Sequence, residues 1–288
     1  MEQTRNSPNC IGIIGLGLIG GSLGLDLQSL GFQVHGIVHK SITAEKAKTR
    51  QLANFISTDF KTLAKCDLII LALPLEQLLK PSQELINALP KSAVITDVGS
   101  VKEPILKVWS KLHPNFVASH PMAGTTESGV EAGRTQLFKN RPWIATPNKN
   151  TNPQALQKVE ELAISLGCKW ITAEAEVHDQ AVALISHLPV LISAVLLKTL
   201  ESENDQSVLY LAKALASSGF ADTTRVGGGN PTLGTAMMAN NSNAILRTLK
   251  SYNEKIKQFE KDIVNKNWEK IQAELEQTKS TRQDIYNN

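Results

Sequence analysis

His120 ends the apolar run NFVAS and is followed at once by Pro121, in the stretch VASHPMAG. A proline holds the residue before it extended, and Gly124 lets the chain turn away. The imidazole is therefore expected as a general base presented rigidly at a strand end. Ser100, in GSVK after the run AVITDV, places a hydroxyl at the end of another strand. Arg225 precedes Gly227, Gly228 and Gly229, with Asn230 and Pro231 suited to cap and open the next helix. A guanidinium beside a helix entrance is a clamp for a carboxylate. His187, in ISHLPV, lies inside an apolar helical run, where a polar ring needs a hydrogen-bond partner or a ligand. Base, hydroxyl and anion clamp together describe proton abstraction from an anionic small molecule. The plainer alternatives are a buried histidine satisfied by local backbone, a surface ion pair for Arg225 and a flexible linker for the glycines.

A second chemical signal lies near the start, in IGIIGLGLIGGSLGLDL. Gly15, Gly17 and Gly20 follow a strand pattern and precede a helix pattern. In that context the first glycine makes the turn, the second admits a pyrophosphate and the third lets the helix sit close on the sheet. Taken alone, the spacing marks only a tight strand-to-helix turn. Leu18 and Ile19, between the glycines, and Pro74, after the run DLIILAL, are placed with them at the cofactor. The end of the second strand decides which dinucleotide is bound. NAD calls for an Asp or Glu there, whereas a 2′-phosphate calls for cationic or neutral donors. The chain offers His39, Lys40 and Ser41 after Val38, so NADP is expected; the plainer reading leaves His39 and Lys40 as solvent-facing loop residues. His35 and His39 are no metal pair, because four residues along a strand span about 13 Å.

These groups need elements to hold them. Up to about residue 172, β-rich runs (CIGIIG, QVHGIV, DLIILAL, AVITDV, NFVAS, WIAT, KWIT) alternate with helix-length segments, the pattern of a doubly wound parallel sheet of Rossmann type. In such a sheet the carboxyl ends of the strands line the ligand crevice, so the Ser100 and His120 loops are expected to face the cofactor. From residue 173 the pattern is helical throughout. The expected division is α/β, with a dinucleotide-binding domain over 9–172 and an all-helical domain over 173–288. Tyr252, Ile256, Phe259 and Ile263 mark one face of a late helix, either an ordinary core stripe or a subunit interface.

Composition narrows the partners. The 288 residues are 42% hydrophobic, with Lys+Arg 30 against Asp+Glu 27 and a net charge of +3, too weak for a nucleic-acid or membrane footprint. Cys10, Cys66 and Cys168 lack metal-cage or disulfide spacing, which fits a reducing cytoplasm and no metal. The polar start MEQTRNSPN is no secretory signal. The apolar stretch from about Ala181 to Leu200 contains polar residues and Pro189, and reads as a buried helix rather than a membrane span.

The motifs GLGLIGGSL, TDVGSVK, SHPMAGT, HDQAV, ISHLPV and DTTRVGGGNP occur in an order and spacing that resemble the arogenate/prephenate dehydrogenase family of tyrosine biosynthesis, over roughly residues 10 to 285. The resemblance implies oxidative decarboxylation of a cyclohexadienol, with hydride passing to a nicotinamide and the ring carboxylate leaving as CO₂. It implies that His120 accepts the C4 hydroxyl proton, that Ser100 orients the hydroxyl or the imidazole, and that Arg225 binds the ring carboxylate. It also places His187 and Thr125 near the substrate and makes the helical half a homodimerisation domain. Many prephenate-specific members carry a second histidine where this chain has Val190, so arogenate is the expected substrate and prephenate the alternative. With no regulatory or mutase domain read in the chain, any feedback by tyrosine is expected at the active site. The competing readings are a β-hydroxyacid-type dehydrogenase, which would need a helical-half lysine beside a glycine-rich motif, and a non-catalytic NADP sensor, which has no use for His120, Ser100 and Arg225 together.

Overall fold

The computed structural model describes residues 10–125 and 127–286. Strands β1 (Cys10–Ile14), β2 (Gln33–Ile37), β3 (Phe55–Ser57), β4 (Leu68–Leu71), β5 (Val94–Asp97) and β6 (Phe116–Val117) form one parallel sheet in the order β3-β2-β1-β4-β5-β6. This is the doubly wound order whose ligand crevice lies at the carboxyl ends of the strands. Helices α1 (Leu18–Ser29), α2 (Ser41–Thr49), α3 (Leu75–Leu79), α4 (Gln83–Ala88) and α5 (Glu103–Leu112) connect them. Both faces are covered, which is why β1 is apolar nearly throughout. Ile11 and Ile13 pack with Leu23, Leu27 and Val34 on one side, and Ile14 packs with Ile69, Ile95 and Trp109 on the other.

The run NFVAS was expected as one strand with His120 after it. Instead the chain breaks at Ala118 and a second strand, β7 (Ser119–Pro121), carries His120 within it. Strand β7 pairs antiparallel with β8 (Pro142–Ala145), and β8 pairs parallel with β9 (Lys169–Thr172), giving a separate three-stranded sheet. Pro121 is tolerated because β7 is an edge strand. Between β8 and β9 runs α6 (Pro153–Ser165).

Helices α7 (Ala175–Val182), α8 (Leu188–Glu201), α9 (Gln206–Leu215), α10 (Ser218–Thr224), α11 (Pro231–Asn240), α12 (Ser242–Val264) and α13 (Trp268–Tyr286) follow. A π-helical turn over Ala183–His187 joins α7 to α8, so that Ala175–Glu201 runs as one helix, long and apolar enough by length and composition to cross a membrane. It was expected to be buried, but Ile185 is 69% exposed and Leu184, Val195 and Leu196 are exposed as well. Four polar residues, His178, Asp179, His187 and Ser193, are buried along it beside Ala175, Val182, Ala183 and Leu188. The helix packs on the fold through a mixed polar and apolar stripe and leaves further apolar surface outside.

The chain divides into two compact units, one ending at Ser242 and the other beginning at Asn243. In the second, Asp262 of α12 accepts from Gln258, Asn267 and Lys270 and so ties together the turn into α13.

Candidate active site

The nucleotide end follows from the glycines. Gly15 has φ +94°, and a Cβ there would stand 2.2 Å from the Ala72 carbonyl oxygen. At Gly20 a Cβ would lie 1.8 Å from the Gly15 oxygen, so the start of α1 closes directly onto the turn. Gly17 differs, since a Cβ there would meet nothing within 4 Å. The protein leaves that flank bare beside the free N–H groups of α1's first turn, which Leu18 and Ile19 open, while Pro74 is exposed at the start of α3 after β4. A pyrophosphate needs such a bare approach, and these residues fit a dinucleotide. At the carboxyl end of β2, His39, Lys40 and Ser41 are exposed and open α2.

The chemistry end is a buried polar chain. The Asp179 carboxylate accepts from the backbone N–H groups of Lys102 (2.7 Å) and Glu103 (2.9 Å) at the start of α5, and from His178 Nδ1 (2.8 Å). His178 Nε2 lies 3.0 Å from His120 Nδ1. The partners fix the protons on neutral rings. Asp179 can only accept, so His178 Nδ1 carries hydrogen and its Nε2 is bare. His120 Nδ1 donates to that nitrogen, which leaves the lone pair of His120 on Nε2. Burial, then the Lys102 cation, then His178 and His187 hold the His120 imidazole well below its usual 6.5. The ring is neutral and able to take a proton.

Lys102 is fully buried, ion-paired with Asp97 and donating to the Ser119 carbonyl at 2.7 Å. Asp97 also accepts from the N–H of Gly99 at 2.8 Å and of Ser119 at 3.1 Å. This pair locks the end of β5 to the first residue of β7 and so fixes the strand that carries His120. Beside it, Asn241 Nδ2 donates to the Asp179 carbonyl at 2.7 Å and to His187 Nδ1 at 3.1 Å. His187 is 1% exposed, and its Nε2, which then holds the hydrogen, is buried with no partner among the described residues. Burial pushes this imidazole down to about 4.

The remaining expected residues are placed as follows. Ser100 is half-buried between β5 and α5, and its hydroxyl makes no hydrogen bond among the described residues. Thr125 is exposed, its Oγ1 accepting from Glu127 N at 3.1 Å. Gly124 does not need to be glycine, having neither a left-handed φ nor a crowded Cβ direction. Val190 is half-buried, its Cγ1 4.0 Å from where a Cβ on Gly234 of α11 would stand. Arg225 is exposed at the end of α10, with no ion pair among the described residues, and Asn230 caps α11 as expected. Gly227 is packed hard on α8, where a Cβ would meet Ala194 N at 2.4 Å. Sequence reasoning missed Asp97, Lys102, His178, Asp179 and Asn241. The stretches TDVGSVK and HDQAV contained four of them, but Asp97 and Lys102 meet Ser119 only where β7 leaves the sheet, and Asp179 meets its partners only where α7 packs against the start of α5.

Comparison with known proteins gives the family. The model "Prephenate dehydrogenase, nucleotide-binding domain" matches residues 23–172, and "Prephenate dehydrogenase, dimerization domain" matches residues 174–277. A cyclohexadienyl dehydrogenase of Zymomonas mobilis is 30% identical over 94% of each chain. A prephenate dehydrogenase of Bacillus subtilis is 30% identical over 85% of this chain and 67% of its own length. Among solved structures, Synechocystis arogenate dehydrogenase is 40% identical with a TM-score of 0.81, covering 96% of this chain and 99% of that one. Prephenate dehydrogenase from A. aeolicus, at 24% identity and a TM-score of 0.90 over 98% of this chain and all of that one, shares the fold.

Proposed function

Because the chain belongs to the prephenate dehydrogenase family, we propose that it oxidatively decarboxylates arogenate to tyrosine, with NADP⁺ as hydride acceptor. His120 is the general base, and the observation that carries the reading is its fixed tautomer. With Nδ1 tied to His178, the bare Nε2 takes the C4 hydroxyl proton as hydride leaves C4. The ring carbonyl so formed draws in the bonding pair of the departing carboxylate, and the ring becomes aromatic as the phenolic oxygen recovers a proton. Arg225, with no ion pair among the described residues, holds the ring carboxylate. The buried N–H on His187 Nε2 donates to the substrate, as an unmatched buried donor should. Ser100 and Thr125 contribute hydroxyls beside it.

A bound nicotinamide dinucleotide supplies the hydride acceptor. The Gly15–Gly20 loop, with Leu18, Ile19 and Pro74, holds its pyrophosphate side, and His39, Lys40 and Ser41 at the start of α2 meet a 2′-phosphate, there being no carboxylate among them. Two points favour arogenate. The arogenate dehydrogenase of Synechocystis is the 40%-identical structure, and Val190 offers prephenate only apolar contact. In this reading residues 9–172 serve the cofactor and 173–288 the substrate and a homodimer, in the cytoplasm.

The test is kcat/KM for arogenate and prephenate, each with NADP⁺ and NAD⁺. Arogenate with NADP⁺ is expected to be best, by about ten- to hundredfold over prephenate if one charged hydrogen bond is at stake. Val190→His should raise prephenate use and Lys40→Glu should narrow the NADP⁺ preference. A wild type that uses prephenate or NAD⁺ equally well would refute that half of the reading.

A further inference from the structure

A second cluster of chemically able side chains lies at the amino-terminal end of the sheet, opposite the glycine-rich loop. Cys10 opens β1, His35 lies on β2, and Cys66 ends the helical turn Phe60–Lys65 that leads into β4. Strand β1 runs between β2 and β4, so each donor arrives from a different segment of the chain. The two sulfurs are 3.1 Å apart, and a ring nitrogen of His35 lies with both inside a span of 4.8 Å. Gly12 pairs with His35 in the β1–β2 register. A Cβ there would collide with Leu63 Cδ2 at 2.7 Å and touch Cys66 Sγ at 3.4 Å, so glycine is what lets Leu63 and Cys66 close onto β1 at this point.

His35 is held as ligating histidines are held. Its Nδ1 donates to the Thr62 carbonyl at 3.0 Å, which leaves Nε2 bare, and Phe55 packs edge-on against the ring with centroids 4.9 Å apart. Two sulfurs and an imidazole are a soft donor set, which favours Zn²⁺ over Mg²⁺ or Ca²⁺. The size fits too. An ion centred in a triangle with edges of about 3.5–4 Å lies about 2.0–2.3 Å from each corner, the range of Zn–N and Zn–S bonds. The present spacings need to adjust by less than about 1 Å to reach it.

We propose that Cys10, His35 and Cys66 form a Zn²⁺ site, remote from the catalytic chain, that ties β1, β2 and the approach to β4 together. Binding exchanges two thiol protons for the ion, leaving both sulfurs as thiolates without any change of oxidation state. Since neither spacing nor motif links Cys10, His35 and Cys66 in sequence, only the strand order reveals the site. Cys168 takes no part, its Sγ lying against the Phe138 carbonyl instead.

The experiment titrates the full-length protein, reduced and stripped with chelator, with Co²⁺ and then Zn²⁺. Thiolate-to-cobalt absorption should saturate at one equivalent and be displaced by one of Zn²⁺, and Zn²⁺ should raise Tm. Cys168→Ser should titrate as wild type does. Cys66→Ser and His35→Gln should bind at least about tenfold more weakly. If Cys66→Ser fails to fold, His35→Gln, at a half-buried position, carries the test. No saturable thiolate band in the reduced wild type would overturn the proposal, as would undiminished binding by His35→Gln. So would a purified protein whose Cys10 and Cys66 are already joined as a disulfide and stay joined under the reductant.

Discussion

The proton positions around His120 make separable predictions for single residues. His120→Asn keeps a polar side chain but loses the base, so kcat should fall by about two to four orders of magnitude with little change in cofactor affinity. His178→Gln should cause a smaller loss, because the base survives while its orientation does not. The acid limb of the kcat/KM profile reports the base directly. His120 must be neutral, and its folded value lies below 6.5, so activity should hold as pH falls through 6.5 and be lost only lower. In His178→Gln the ring that holds His120 Nδ1 and links it to Asp179 is gone, and the limb should shift. An unmoved limb would show that His178 serves packing alone. Stability carries a second signature, from His187. The unfolded chain takes up this proton near 6.5 and the folded protein near 4, so stability is full above 6.5 and falls by up to about 3 kcal/mol as pH drops to 4. Denaturant melts of wild type and His187→Phe across that window measure the difference in slope. His120, Ser100, His187 and Arg225 are singled out by the sequence because each lies in a stretch with its own local logic, and their roles are the proposal made above. His178 and Asp179 are not singled out, since a histidine beside an aspartate on a helix looks solvated until α7 meets the amino end of α5.

At the scale of elements, the glycine-rich turn separates folding from binding. A methyl group at Gly20 collides with the Gly15 oxygen at 1.8 Å, and at Gly17 it meets no protein atom. Gly20→Ala should therefore lower Tm and weaken dinucleotide binding together. Gly17→Ala should leave Tm within a degree or two while dinucleotide affinity falls by at least about tenfold, because the methyl takes only ligand space. Fluorescence titration with NADPH beside a thermal melt checks both. Equal loss of Tm in the two variants would mean that the Gly17 flank is not a ligand surface. The strands of the parallel sheet were legible from continuous apolar runs, except β3, a three-residue segment whose Phe55 is 56% exposed. The break at Ala118 is not marked in the sequence. An unbroken apolar run gave no sign that Ser119 leaves the parallel sheet, and the cause is the buried Asp97 carboxylate, which takes the Ser119 N–H at 3.1 Å. The π-turn before Pro189 was hidden in the same way. Proline has no N–H for an ordinary helical bond, and the wider turn carries the chain past it.

For the whole molecule, the question is what covers the apolar surface left outside. Along α8 and α9, Val195, Leu196, Val208, Leu211 and Leu215 are exposed, Leu215 to 71%. Each such side chain gains about 1.5–3 kcal/mol on full burial, so a face of this kind is a strong drive to association. The matched dimerization-domain description over residues 174–277 points to a second copy of this chain as what covers it. Leu215 also lines a groove with Leu200 and with Gly219 and Phe220 of α10, the short helix that ends at Arg225. Covering that groove should steady α10 and the guanidinium it carries. The wild type is therefore expected to sediment as a dimer at micromolar concentration, with a Tm that rises with protein concentration. The double substitution Leu211→Asp, Leu215→Asp should yield a folded monomer whose KM for the substrate is raised more than its kcat is lowered, because the partner proposed for Arg225 is a carboxylate charged before the reaction begins. NADP⁺ affinity should stay near the wild-type value, since the glycine-rich loop lies far along the chain from α9. A monomeric wild type would remove the dimer from this account. A monomeric variant with an unchanged KM would show that α10 holds Arg225 in place without help from a partner.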